Sequence, residues 1–185
     1  MSKVAIVGDA SGTGTFTISA PNGNTDRTLV LPDEAGTVLT TAGVPASAMP
    51  AGSVIQVVSA VYAVGVNTTS ASYVDTGLTA TITPTSATSK ILVLVSQSGL
   101  SINTGGSGVM VNLVRNSTQL IEFARYYMYS TPGSPVGASA SYLDSPTTTS
   151  ATTYKTQYKR GTGSGTVYAN DNSSASTITL VEIAG

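Results

Sequence analysis

The chain has 185 residues, no Cys, no His and no Trp, and 8 Lys+Arg stand against 9 Asp+Glu for a formal net charge of -1. Without imidazole or thiol there is no Ser-His-Asp or Cys-His triad, no zinc site of the usual kind and no disulfide. Hydrophobic residues at 41% and charged residues at 9%, against about 25% charged in an average domain, point to one real core and away from disorder, nucleic acid or acidic membrane.

Residues 1–50 are punctuated by Gly, Thr and Pro. The opening Met1–Asp9 breaks its apolar stretch too early for a secretory signal. Thr13 to Ser19 alternates Thr with Gly14, Phe16 and Ile18, the period of a strand with one apolar face. Pro21-Asn22-Gly23-Asn24 reads as a turn, followed by a short strand Arg27–Leu31, a break at Pro32–Gly36, and Thr37–Thr40. Such short strands cannot bury their apolar faces alone, so this segment is expected to be an arm that needs a partner. Thr41–Pro50 reads as its linker.

Residues 51–185 form the second expected domain, a series of short strands between turns. Val54–Val58 begins it, then Tyr73–Thr76, then Leu78–Thr83, which alternates Leu78, Ala80 and Ile82 with Thr and stops at Pro84. Ile91–Val95 is a continuous apolar run, which predicts a central strand buried on both faces. Val109–Val114 and Gln119–Tyr127 flank Arg115–Thr118 as a hairpin. Ala138–Leu143, Thr152–Tyr158, Thr166–Ala169 and Thr177–Ile183 complete about nine or ten strands. That spacing predicts an all-β fold, an antiparallel β-sandwich or jelly-roll-like head preceded by a short extended arm. No apolar stretch approaches the ~20 residues of a membrane-spanning helix, so no membrane insertion is expected.

The segment Gly12-Thr13-Gly14-Thr15-Phe16-Thr17-Ile18-Ser19-Ala20-Pro21, continuing through Arg27-Thr28-Leu29-Val30-Leu31-Pro32-Asp33 to Gly36-Thr37-Val38-Leu39, resembles a module of bacteriophage tail-fibre and virion surface proteins. Pro50–Val57, Tyr73–Leu78, Ile82–Val93 and Ile178–Ile183 look like the knob of phage fibres. The resemblance implies a homotrimer with a compact head similar in plan to the C1q and tumour-necrosis-factor heads. It also implies that the arm attaches the head to other virion proteins, either of the tail or the major capsid protein, through Phe16, Ile18, Leu29, Leu31, Val38 and Leu39. The low charge content agrees with a trimer, because symmetric interfaces deplete charge at their centres; a Thr/Ser-rich monomer surface is the alternative, and 54 Ser and Thr would supply it.

Several groups bear on binding or chemistry. Tyr126, Tyr127 and Tyr129 run into the loop Thr131–Pro135. They would suit sugar stacking and receptor contact, the ring being apolar and the hydroxyl polar; packing on strands, where aromatics are favoured, is the plainer reading. Lys155 and Lys159 should face one side of a strand and Arg160 the other, as a solvated strand end or a contact for anionic polysaccharide. Carboxylate pairs would be needed for glycoside hydrolysis, but Asp33-Glu34 lie in a turn and Glu122, Asp144, Asp171 and Glu182 are scattered. Gly161–Gly165 lacks the Lys-Ser/Thr of a phosphate loop, and no spacing resembles a calcium loop. No catalytic residue, metal or cofactor is therefore assigned.

These readings converge on a non-enzymatic virion protein, located in the virion after assembly in the host cytoplasm. The first expectation is a trimeric short tail fibre or fibre tip adsorbing to host surface polysaccharide. The second is a capsid decoration protein, and the third, from a different class, a glycan-degrading virion enzyme.

Overall fold

A computed structural model describes residues 48–129 and 134–185, together with residues 11–14, 23, 28 and 44. The chain divides into two units, Met1–Val38 and Leu39–Gly185, and the strands below all belong to the second. They are β1 (Val54–Tyr62), β2 (Val66–Thr68), β3 (Val74–Ile82), β4 (Lys90–Ile102) and β5 (Ser107–Arg115), then β6 (Thr118–Met128), β7 (Val136–Asp144), β8 (Thr152–Arg160), β9 (Val167–Ala169) and β10 (Ser176–Ile183). A single 3-10 turn, Asp171–Ser173, precedes β10.

The strands pair like a long hairpin rolled up on itself. β1 pairs with β10, β3 with β8, β4 with β7 and β5 with β6, all antiparallel. β10 also joins β4, and β8 joins β5, which closes a first sheet β1-β10-β4-β7 and a second sheet β3-β8-β5-β6. The short β9 and β2 extend the first sheet beyond the ends of β10 and β1. This nested order is that of a jelly roll, and the expected all-β sandwich is the observed fold.

Local chemistry explains where the strands bend. The expected strands Tyr73–Thr76 and Leu78–Thr83 are one strand, β3, with a bulge between Asp75 and Thr79. Gly77 allows it: its φ is +91, and a Cβ there would come within 2.3 Å of the Tyr62 ring. In β6, two irregularities against β5 break the period of two, so Ile121, Phe123, Ala124 and Tyr126 all pack toward the core. The β5–β6 hairpin turns at Asn116, whose φ of 54 suits the left-handed corner. The Asn116 side chain accepts a bond from the Thr153 amide at 3.0 Å and ties the turn to β8.

One expectation fails instructively. The apolar run Ile91–Val95 predicts burial on both faces, yet only Ile91, Val93 and Val95 are buried, while Leu94 is 41% exposed and Leu92 half-buried. β4 does lie in the middle of its sheet, but among the described residues no layer covers the sheet's outer side.

Between the sheets lie two apolar clusters. One is built around Leu78, Ile91, Val93, Leu113, Tyr154 and Leu180, the other around Leu100, Val109, Val111, Tyr158 and Val167. A buried polar layer stands among them. Gln97 donates to Asn170 at 2.9 Å and to Ser176 at 2.8 Å, and accepts from the Thr156 hydroxyl at 2.8 Å. The Thr76 and Thr156 hydroxyls bond one another, so the layer runs from β3 and β8 across to β4 and β10. Because each group finds a partner, the layer costs little and favours one register of the two sheets.

The strand directions give the head two distinct ends. β1, β4, β6 and β8 begin at one end, the base, and β10 and β7 finish there. Gly52 and Ser53 bond to Ala184 at this end, so the chain enters and leaves the sandwich side by side.

Candidate functional site

At the end opposite the base, the last residues of β6 carry the expected tyrosines, and the structure separates them. Tyr126 pairs with Val109 and packs against the second core cluster. Its ring is a packing element, and it drops out of the candidate contact set. The two bulges in β6 cause this, because they change which residues face inward. Tyr127 and Tyr129 remain outside, 40% and 86% exposed. Their rings meet edge to face with centroids 4.7 Å apart, a favourable arrangement for quadrupolar rings. Tyr127 lies opposite Gly108 in β5, and its ring closes over that residue: a Cβ on Gly108 would stand 3.3 Å from Cδ2 of Tyr127. A Cβ at position 108 would be in tight contact with the Tyr127 ring and with the Tyr126 carbonyl, so the ring would have to yield slightly.

Apart from Met110 and Val114 in β5, the strand positions farther along the second sheet's outer face are polar or charged. Lys155 donates to Asp75 at 2.9 Å, and Gln157 donates to the other oxygen of Asp75 at 2.8 Å. Burial alone would raise the Asp75 carboxyl, but these bonds outweigh it and hold it below the usual value. Glu122 accepts from the Tyr73 hydroxyl at 2.6 Å and from Arg125 at 2.7 Å. The Tyr73 bond, then Arg125 against partial burial, keep Glu122 ionised below the usual range. Burial and the neighbouring carboxylate push the Tyr73 hydroxyl strongly upward, so it remains a donor at any ordinary pH. The Lys159 ammonium stands 4.5 Å from the Tyr73 ring centroid. As expected, Lys155 and Lys159 share the outer face; Arg160, at the end of the same strand, has a buried Nε with no hydrogen-bond partner.

The first sheet's outer face is its opposite. In register across four strands lie Val57, Val181, Leu92 and Leu143, and beside them Ser59, Thr179, Leu94 and Ser141. The following line is Val61, Thr177, Ser96 and Ser139. No charged side chain occurs in these three lines, while Val57 and Val61 are 57% and 65% exposed and Leu143 is half exposed.

The remaining carboxylates are each engaged separately. Asp144 binds Arg115 at 2.9 Å through both oxygens and accepts from Tyr154 at 2.6 Å. Asp171 accepts from Ser101 at 2.7 Å. Glu182, fully buried at the base, accepts from Gln56 and from the amide and hydroxyl of Thr85. Among the described residues, no three His, Cys, Asp or Glu side chains come together as a metal would need. A cleft of about 360 Å³ lies at the base between Met49, Ile55, Thr85 and Ser89, at the other end of the head from the tyrosine pair. No helix among the described residues is long and apolar enough to cross a membrane. Phe16, Ile18, Leu29, Leu31, Val38 and Leu39, expected to make the arm's apolar contacts, lie outside the described residues, as do Asp33-Glu34.

No protein-family model matches this chain, and no curated protein matches it. The sequence pointed to the tyrosines but not to Tyr73, Asp75, Asn112, Glu122 and Gln157 as neighbours. Alternation alone puts Asp75 and Gln157 on outer faces; only the cross-strand register brings them together.

Proposed function

We propose that this chain is a bacteriophage virion structural protein without enzymatic activity. In this reading it is a short tail fibre or fibre tip whose heads associate as a homotrimer and adsorb to a host surface glycan. The observation that carries the reading is the polarity of the head. The chain enters and leaves at the base, where Gly52 bonds Ala184, and the most exposed aromatic pair, Tyr127 and Tyr129, stands at the opposite end. A head held at its base presents that pair outward, as a receptor-binding tip must. Residues 1–50 then join the head to other virion proteins, with Phe16, Ile18, Leu29, Leu31, Val38 and Leu39 as the apolar contacts.

The three uncharged register lines on the first sheet's outer face support the homotrimer. Exposed valines and leucines in adjacent register lines lose water-exposed apolar area when a second copy covers them, and symmetric interfaces deplete charge at their centres. Trimeric heads on several spikes convert weak glycan contacts into avidity.

Locating the protein in a virion reconstruction tests this, together with mass measurement of the purified chain. Three copies per tail spike, a solution mass three times 18.6 kDa and blocking of phage adsorption by purified protein are the expected results. Hundreds of copies on icosahedral sites would replace the tail-fibre reading with capsid decoration. Protein that neither binds host cells nor blocks adsorption would end the receptor role, and release of reducing sugar from host polysaccharide would overturn the non-enzymatic assignment.

A further inference from the structure

One register line on the second sheet's outer face runs Asp75, Gln157, Asn112, Glu122 across all four strands. At about 4.8 Å per strand it spans roughly 14 Å, long enough for a short oligosaccharide. Every member ends in a planar carboxylate or carboxamide, and no apolar side chain interrupts them. Tyr73 borders the line through its bond to Glu122, with Lys159 over its ring.

Asn112 is the anomaly in this line. It is 1% exposed, and its Nδ2 donates to Gln119 at 3.1 Å, but its Oδ1 has no donor. Buried acceptors without a partner are destabilising and uncommon, and they call for an explanation. Val114, two residues along the same face of the same strand, shows that an aliphatic side chain is acceptable there, so packing does not require an amide.

We infer that this line is a glycan subsite, in which a hydroxyl of an oligosaccharide donates to Asn112 Oδ1 while Asp75, Gln157 and Glu122 bind neighbouring hydroxyls. The neighbours that must shift to admit it are flexible: Gln157 is half-buried and Gln119 exposed. A sugar fits better than a protein partner. Protein interfaces draw their energy from aromatic and aliphatic anchors in desolvated pockets, and the line has none. Its carboxylates are already balanced by Lys155 and Arg125, so it attracts no strongly charged partner. Planar groups with two oxygens, or an oxygen and an amide, can hold two adjacent hydroxyls at once, and a site built on such bonds discriminates strongly against ligands lacking them. The line lies about 13 Å along β5 from Gly108, beneath Tyr127, so one extended glycan can meet both. The inference rests on the receptor reading for the source of the glycan.

The test is binding of the full chain to an array of defined neutral and acidic bacterial surface oligosaccharides, comparing wild type with Asn112→Leu and Gln157→Ala. Wild type is expected to retain at least one oligosaccharide, and both variants to bind it at least tenfold more weakly. Asn112→Leu should melt at the same temperature as wild type or higher, since it removes an unpartnered acceptor; its lost binding is then not unfolding. No binding to any oligosaccharide would overturn the subsite, as would wild-type binding by Gln157→Ala with Asn112→Leu either unaffected or destabilised. Adsorption blocking separates the two ideas. Blocking that survives in both variants defeats the subsite alone, whereas array binding without any blocking defeats the phage-receptor reading alone.

Discussion

The two outer faces of the sandwich follow the same alternation and end up unlike. On the first sheet, Val57, Val181, Leu92 and Leu143 line up beside Ser59, Thr179, Leu94 and Ser141. On the second, the corresponding surface holds Asp75, Lys155, Lys159, Glu122 and Arg125, knitted by ion pairs and hydrogen bonds. A period of two sorts side chains into inward and outward sets, but it does not say what the outward set meets. Charge does: a face meant for water carries charges that repel wrong association, and a face meant for another copy omits them. The outward half of Ile91–Val95 shows the contrast most clearly: Leu92 and Leu94 form an apolar strand face that no layer of the described residues covers.

Breaking that contrast should have its largest effect on assembly. Leu94→Asp places a carboxylate in the middle of the three uncharged register lines. Subunit affinity is expected to fall at least about a hundredfold, about 3 kcal/mol, with light scattering reporting monomers. Thr81→Asp on the second sheet should leave the mass unchanged, and equal behaviour of the two would show that the faces do not differ in this respect.

The second largest effect lies between the sheets. Gln97→Leu deprives Asn170, Ser176 and Thr156 of a shared partner in a fully buried layer. A loss of about 2–4 kcal/mol is expected, measured by denaturant unfolding. A loss under about 0.5 kcal/mol would mean the layer contributes little beyond filling space.

Glu182 sharpens the picture at the base. Burial raises its carboxyl, but bonds from Gln56, Ser89 and Thr85 and the Thr85 amide together hold it below the usual 4.5. The folded value is thus lower than the unfolded one. Its contribution is present above about pH 4.5 and disappears as pH falls through the folded value. Wild type should lose thermal stability more steeply than Glu182→Gln between about pH 6 and about pH 3; parallel pH curves would remove Glu182 as the source.

The smallest effect is expected for Lys155→Met, which removes the exposed ion pair with Asp75. Stability should change by no more than about 1 kcal/mol. A larger loss would mean that the polar face of the second sheet supports the fold as well as presenting a surface.

Much of this fold was legible in the residues themselves. Alternation in Leu78–Thr83, Pro84 as a stop and the hairpin turn at Arg115–Thr118 each act through their immediate neighbours, and each appears where expected. Legibility failed where a distant partner intervened. Gly77 joins two expected strands into one because the Tyr62 ring lies over it. Tyr126 turns inward because β6 carries two bulges against β5, and nothing local in Phe123-Ala124-Arg125 announces them. Asn112 and Glu122 face each other across the β5–β6 hairpin, but Asp75 and Gln157 lie tens of residues away and join them only through the β3–β8 and β8–β5 pairings.

Composition and period thus determined by themselves that this protein is all-β, lacks thiol and imidazole chemistry, and carries too few charges to clothe an ordinary surface. These are additive or nearest-neighbour properties, and they survive without knowing which strand lies beside which. Tertiary structure alone decided where the few charges gather, which sheet turns valines and leucines outward, and that the exposed tyrosines stand away from the base. Each of those depends on register between strands separated by tens of residues, and a one-residue change of register exchanges every inward side chain for an outward one.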